Sequence, residues 1–196
     1  MIGSLRGRIS AKAPPQLTVE VGGIGYEIEA PMSTFFHLPA VGAEVQLLTH
    51  LVVREDAHVL YGFGSEAERR LFRSLIKVSG VGPKIALGLL SGISVSEFHE
   101  CVQSQDVAAL TRIPGVGRKT AERLIVEMRD RLAAPELTTG APSTGGAGSP
   151  EAEAYAALVA LGYRPAEATR LLKAAGTGTH STEELIRRAL QGAVRE

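Results

Sequence analysis

Apolar and polar positions alternate with a period of two through five short segments of the first 63 residues. These are Ile2–Lys12, Leu17–Val21, Gly25–Ala30, Val45–Val53 and His58–Phe63, punctuated by glycine and proline. The pattern predicts half-buried strands. From Gly64 the spacing lengthens to that of helices. Ser65 with Glu68 carries a capping-box signature ahead of a helix predicted over Glu68–Lys77. Pro83 suits the first turn of a second helix, where its missing N–H costs nothing. Ser94 with Glu97 opens a third, and Gln105–Arg112 and Gly117–Leu132 complete five. Residues 135–150 lose all periodicity. Beyond them, Glu151–Leu161, Pro165–Ala175 and Thr182–Val194 read as three more helices, with Gly162 and Gly176–Gly178 as breaks and Ser181 with Glu184 capping the last.

The expected architecture is therefore multidomain, α and β, with boundaries at 1–63, 64–134, 135–150 and 151–196. Five short strands in about sixty residues suit a small closed barrel of the OB type. Its rings (Tyr26, Phe35, Phe36, Tyr61, Phe63) have few basic residues among them, and the chain has no tryptophan. Stacking of single-stranded bases is a poor fit, and the rings are expected to fill the barrel. The Gly-, Ser-, Thr- and Pro-rich stretch 135–150 cannot bury a core and reads as a flexible tether with a reach of roughly 20–24 Å. The last segment is a three-helix module of ubiquitin-associated type. Its apolar stripe of Leu158, Leu161, Leu171, Leu172, Leu185 and Ile186 supplies a core and, in part, a face for a protein partner.

Within the central helices one phrase occurs twice. Val78-Ser79-Gly80-Val81-Gly82-Pro83-Lys84-Ile85-Ala86 returns 35 residues later as Ile113-Pro114-Gly115-Val116-Gly117-Arg118-Lys119-Thr120-Ala121. One Gly-x-Gly between helices is ordinarily a tight turn and nothing more. A second copy in register, with lysine at the matching place, is harder to explain by packing alone. Glycine lets backbone approach a ligand, and a helix N-terminus presents free N–H groups and a positive dipole end to an anion. The pattern resembles the helix-hairpin-helix motif, whose paired form holds a sugar–phosphate backbone without reading bases. Gly80, Gly82, Lys84, Gly115, Gly117, Arg118, Lys119 and Arg123 are the candidate DNA-binding residues.

Net formal charge is zero, which looks wrong for such a ligand until the chain is divided. Residues 1–63 carry four Lys/Arg against six Asp/Glu, residues 64–134 eleven against eight, and residues 135–196 six against seven. The basic excess lies with the repeated turns, as an electrostatic footprint should. The single cysteine, Cys101, excludes an internal disulfide, suits a reducing cytoplasm, and falls beside Phe98 as a small core residue. No signal pattern or long apolar run points to a membrane.

Catalytic readings fare worse. Gly115-Val116-Gly117-Arg118-Lys119-Thr120 mimics the end of a nucleotide-binding loop. Arg118 intrudes between glycine and lysine, and Arg112 stands where the upstream glycine belongs. The histidines (37, 50, 58, 99, 180) lack zinc spacing, so no metal or other cofactor is expected. Glu55-Asp56 is the one adjacent acidic pair in the barrel, on a predicted turn without a third ligand nearby, and by itself reads as solvated. A structure-specific nuclease or glycosylase built on the same hairpins remains the alternative, though base flipping calls for more aromatics than Phe72 and Phe98.

Taken together, the barrel, paired hairpins, tether and end module resemble the RuvA family, the Holliday junction-binding subunits of bacterial branch-migration complexes. The markers are Glu20-Val21-Gly22-Gly23-Ile24-Gly25-Tyr26-Glu27, Thr49 through Ala57, Leu60-Tyr61-Gly62-Phe63, both hairpins, Lys119 through Met128, and Ala156 through Tyr163. The first hairpin has Pro83 where the second has a basic residue, Arg118. The resemblance implies a non-catalytic role on four-way junction DNA in recombination and repair. It also implies a fourfold homotetramer, one or two per junction. Glu55 and Asp56 would become acidic pins, eight carboxylates in a tetramer, that hold the crossover open. It implies as partners a hexameric ATPase, RuvB, docked on the end module, and a resolvase, RuvC, on the same DNA.

Overall fold

In a computed structural model, residues 1–133, 149–176 and 181–193 are described. They form two compact units, one ending at Ala133 and the other containing the C-terminal helices. In the first unit, strands β1 (Ser4–Ala13), β2 (Gln16–Val21), β3 (Ile24–Glu29), β4 (Glu44–Val53) and β5 (His58–Phe63) close into a barrel in the order β1-β2-β3-β5-β4. All neighbours are antiparallel except β3 and β5, where Ile28 pairs with Leu60. Every predicted strand is present to within two residues. Leu5, Leu17, Val19, Ile28, Leu47 and Leu60 fill the barrel with Phe35. Gly7 has a steric reason: a Cβ there would stand 2.2 Å from the Glu20 carbonyl oxygen.

Barrel and helices are not separable beads. β5 is buried on both faces: Leu60 points into the barrel, while Tyr61 and Phe63 point outward into the helical core. The expectation that the rings fill the barrel is thus corrected. Tyr61 and Phe63 stack on Phe72, each with centroids 4.9 Å apart, and His50 meets Phe72 edge-on at 5.7 Å. Phe36 is 77% exposed. Strand alternation accounts for Tyr61 and Phe63, since odd positions of β5 face away from the barrel interior. The Phe72→Ala variant is expected to lose about 3–5 kcal/mol of stability. Chemical denaturation should show the barrel and the helices no longer unfolding in one transition.

Five helices follow: α2 (Glu66–Leu75), α3 (Pro83–Gly92), α4 (Val95–Ser104), α5 (Val107–Thr111) and α6 (Arg118–Ala133). A short α1 (Met32–Phe35) between β3 and β4 went unpredicted, being one turn long and so without a detectable period. α2 starts two residues before its predicted position, because Ser65 itself is the N-cap and accepts from Glu68 N–H at 3.2 Å. The second half of the expected capping box is absent. Instead of returning to Ser65, the Glu68 carboxylate accepts from Thr34 Oγ1 at 3.1 Å, Gly64 N–H at 3.2 Å and the Ser33 hydroxyl, tying α2 to α1. The box at Ser94 and Glu97 is complete, and those hydrogen bonds hold the Glu97 carboxyl below its usual range. α5 begins after Asp106, not at Gln105, because Asp106 caps Ala109 N–H at 2.9 Å and Gln105 sits at φ 56°.

Across the joint, Met32 N–H donates to Ser91 Oγ at 3.0 Å and Arg69 donates to the Gly3 carbonyl at 2.6 Å. Arg73 Nε donates to His50 Nδ1 at 3.3 Å. Burial, then the nearby Arg73 and Arg69, pull the His50 pKa down, which favours the neutral ring able to accept that bond. Cys101 packs against the helical core, and burial followed by Asp106 pushes its thiol pKa up, as for an inert thiol.

The second unit comprises α7 (Pro150–Ala160), α8 (Pro165–Ala175) and α9 (Thr182–Ala193) around Leu158, Ala168, Leu171 and Ala189. Ser149 caps α7 and Pro150 occupies its first turn, so the last two residues of the expected tether belong to the helix. The rest of that tether, residues 135–148, lies outside the described residues, as do Thr177 to His180 in the second break and Val194.

Candidate nucleic-acid interface

The two glycine turns have the same backbone construction. In the first, Lys77 N–H donates to Ser74 O at 3.3 Å, Val78 to Leu75 at 2.9 Å, Val81 to Val78 at 3.0 Å and Ala86 to Gly82 at 3.0 Å. In the second, 35 positions on, Arg112 donates to Ala109 at 3.3 Å, Ile113 to Leu110 at 3.2 Å, Val116 to Ile113 at 3.0 Å and Ala121 to Gly117 at 2.9 Å. The buried residues of each turn, Val78 with Val81 and Ile113 with Val116, draw it onto the helical core. The glycines between them are thereby forced outward, and all four are exposed.

Only part of the glycine content is explained within the chain. Gly80 at φ +84° and Gly115 at φ +85° occupy the left-handed region that side chains resist. Gly82 and Gly117 do not, and a Cβ on either would meet nothing within 4 Å. No internal packing calls for glycine there. What its absence of side chain does is leave the backbone N–H open to approach from solvent, at the start of α3 and α6. The amides of Lys84 and Ile85, and of Arg118, Lys119 and Thr120, precede the first intrahelical bond of their helices and have no acceptor within them.

Charge at these two helix starts runs against the ordinary rule. Among the described helices of ten residues or more, α2, α4, α7, α8 and α9 each carry an acidic residue in the first turn. α3 and α6 carry none, and have Lys84, Arg118 and Lys119 there instead. A cation at the positive end of a helix dipole is unfavourable unless an anion sits on both. Lys84 and Lys119 are exposed. Arg118 is exposed too, and pairs with Glu122 at 2.9 Å across one turn of α6. Such a surface pair contributes little and yields readily to a competing anion.

Arg123 is turned toward the first hairpin, donating from Nη1 to the Ser79 carbonyl at 3.0 Å. The structure also exposes two cations that the motif reading passed over, Lys77 and Arg112. They occupy equivalent positions, one turn ahead of each glycine bend. The 35-residue offset was the signal that pairs them.

Glu55 and Asp56 form the tip of the β4–β5 hairpin, whose turn is closed by Arg54 N–H to Ala57 O at 2.9 Å. Both are exposed. The stem is held from behind, since Val52 and Val59 pack against the helical core. The tip therefore belongs to the same compact unit as both glycine bends. Among the described residues no group of three or more His, Cys, Asp or Glu could hold a metal ion, and no single helix is long and apolar enough to cross a membrane.

In the second unit the predicted apolar stripe divides. Leu158, Leu171 and Leu185 are buried, Leu172 and Ile186 are half-buried, and Leu161 is 62% exposed at the end of α7. Of the six, Leu161 is thus the residue most open to a partner.

Comparison with known proteins covers both units. Residues 1–62 match the RuvA N terminal domain family, 72–130 the SAM-like Helix-hairpin-helix tandem, and 149–193 the RuvA, C-terminal domain. Over 201 aligned positions that span both chains fully, the sequence is 58% identical to the Holliday junction branch migration complex subunit RuvA of Thioalkalivibrio sulfidiphilus. It is 56% identical to that of Methylococcus capsulatus over 201 positions, again spanning both chains. With the protein of the same name from Nitrosococcus oceani it shares 58% identity, over 97% of this chain and 98% of the other. On this likeness, which runs from the barrel through both hairpins to the end module, the chain belongs to the RuvA family.

Proposed function

We propose that this chain is the Holliday junction-binding subunit of a branch-migration complex, a scaffold that does no covalent chemistry itself. The observation that carries the reading is the reversal of charge at two equivalent helix starts. Among the described helices of ten residues or more, cations replace carboxylates only where exposed glycine amides already face solvent, and the spacing repeats. An extended polyanion satisfies both sites at once, and the sugar–phosphate backbone of duplex DNA is such an anion. The contacts are independent of base sequence. Gly80, Gly82, Gly115 and Gly117 offer amides, Lys84, Arg118 and Lys119 offer charge, and Arg123 completes the face at the joint between the two hairpins. To these we add Lys77 and Arg112.

Each subunit presents one such face, and four arranged around a fourfold axis match four duplex arms. The exposed carboxylates of Glu55 and Asp56 then converge at the crossover, where they repel phosphates and keep strands apart. The tethered helical module recruits the ATPase RuvB, with Leu161 in the docking face, and RuvC resolves the same junction in the cytoplasm. Binding of the full-length chain to a synthetic four-way junction and to a linear duplex of the same arms tests this reading. The junction engages more subunits at once and should bind on the order of 10²-fold more tightly at moderate salt. Equal affinity would overturn the reading.

A further inference from the structure

The two hairpins pack on one another, and the 35-residue offset allows their mutual contacts to be compared pair by pair. On one side, α3 approaches the second turn at Gly88, where a Cβ would stand 3.8 Å from the Pro114 carbonyl oxygen. The offset maps Gly88 onto Arg123 of α6 and Pro114 onto Ser79. At this second joint the gap is spanned by a guanidinium, Arg123 Nη1 donating to Ser79 O at 3.0 Å. The same nitrogen would lie 3.7 Å from a Cβ on Gly80. One joint is bare backbone, and the other holds a charged donor.

The consequence follows from peptide geometry. The Ser79 carbonyl and the Gly80 N–H belong to one planar unit and point in opposite directions. Holding the oxygen therefore aims the N–H. It also draws electron density toward the oxygen, which makes the N–H a stronger donor, since hydrogen bonds in a chain reinforce one another. Gly80 at φ +84° has a wide range of conformations open to it, so an external restraint on its peptide has something to restrain.

We propose that Arg123 is a positioning residue which, from the second hairpin, orients and polarises the Ser79–Gly80 peptide so that the Gly80 amide of the first hairpin is set for a phosphate oxygen. The inference rests on the DNA-binding reading above and adds a dependence to it. The first cradle is complete only when α6 is in place, so the two cradles act as one gauge of the distance between two phosphates. Arg123 reaches its partner across 44 residues of sequence.

The test uses the full-length chain with Arg123→Met and Arg123→Lys, each alone and combined with Lys84→Ala or Lys119→Ala. Arg123 is exposed, so neither substitution removes core packing. Hydrogen–deuterium exchange without DNA should show faster exchange in the peptide spanning residues 77–82 of Arg123→Met, with residues 112–117 unchanged. In junction binding, the loss caused by Lys84→Ala should shrink at least about threefold in the Arg123→Met background, while the loss caused by Lys119→Ala should not change. Unaltered exchange in the first turn would overturn the proposal. So would independent effects of Arg123 and Lys84, or an Arg123→Lys variant that regains binding while its first turn stays unprotected. That last result would make Arg123 a plain phosphate cation. If the unaltered chain failed to prefer a junction, the DNA-binding reading would fall, whereas the exchange result would still report on the joint.

Discussion

Replacing Lys84 and Lys119 together with alanine is expected to weaken binding to every DNA sequence alike while leaving the fold as stable as before or slightly more so. Both side chains are exposed, so their removal costs no packing. Both stand in the first turn of a helix without a carboxylate to offset them, where a cation is unfavourable by about 0.3–1 kcal/mol. On the DNA side, each cation that neutralises a phosphate releases condensed counterions and adds about 0.9 to the slope of log affinity against log salt. In the proposed fourfold tetramer the double variant removes eight such cations, and the slope should become shallower by as much as about 7. Filter binding of a four-way junction across a salt series measures the slope, and thermal denaturation measures the stability. A slope equal to that of the unaltered chain would mean that neither lysine meets phosphate. A marked fall in melting temperature would mean that they serve the fold.

Deleting residues 151–196 should leave junction affinity within about twofold, the scatter expected for distant independent elements, and abolish stimulation of the motor ATPase. Met1–Ala133 is a compact unit whose two cores, around Phe72 and around Leu47, draw on no residue of the deleted helices. α7, α8 and α9 close on a core of their own. Leu161→Asp is the point version of the same test. With the residue 62% exposed, the charge is tolerated by the module but not by an apolar partner face. Titrating RuvB with each variant and following ATP hydrolysis on junction DNA reads the outcome. Stimulation retained after the deletion would place the motor contact on the first unit instead.

How much of this was legible in the chain itself depends on the range of the forces involved. The five strands and eight of the nine described helices show in the periodicity, because one buried face imposes a period of 2 or 3.6 on local sequence. The glycine bends show as well, since both the repeat and the left-handed backbone at Gly80 and Gly115 are local properties. α1 did not, being a single turn. The reversed charge at α3 and α6 was present in the sequence, yet it acquires meaning only beside the acidic first turns of the other long helices.

The order of the elements, the two equivalent bends and the cations on them were determined by sequence alone, through local propensity and spacing. Tertiary structure decided everything that depends on which surfaces meet. It turned Tyr61 and Phe63 away from the barrel onto Phe72, because a strand covered on both sides must fill two cores. It drew Glu68 from its own helix cap to Thr34 and Gly64, brought Arg123 to Ser79, and left Leu161 outside while burying Leu158. Glu68 with Thr34 and Arg123 with Ser79 join positions 34 and 44 residues apart. No local pattern encodes them, since their partners are chosen by the shape of the folded core.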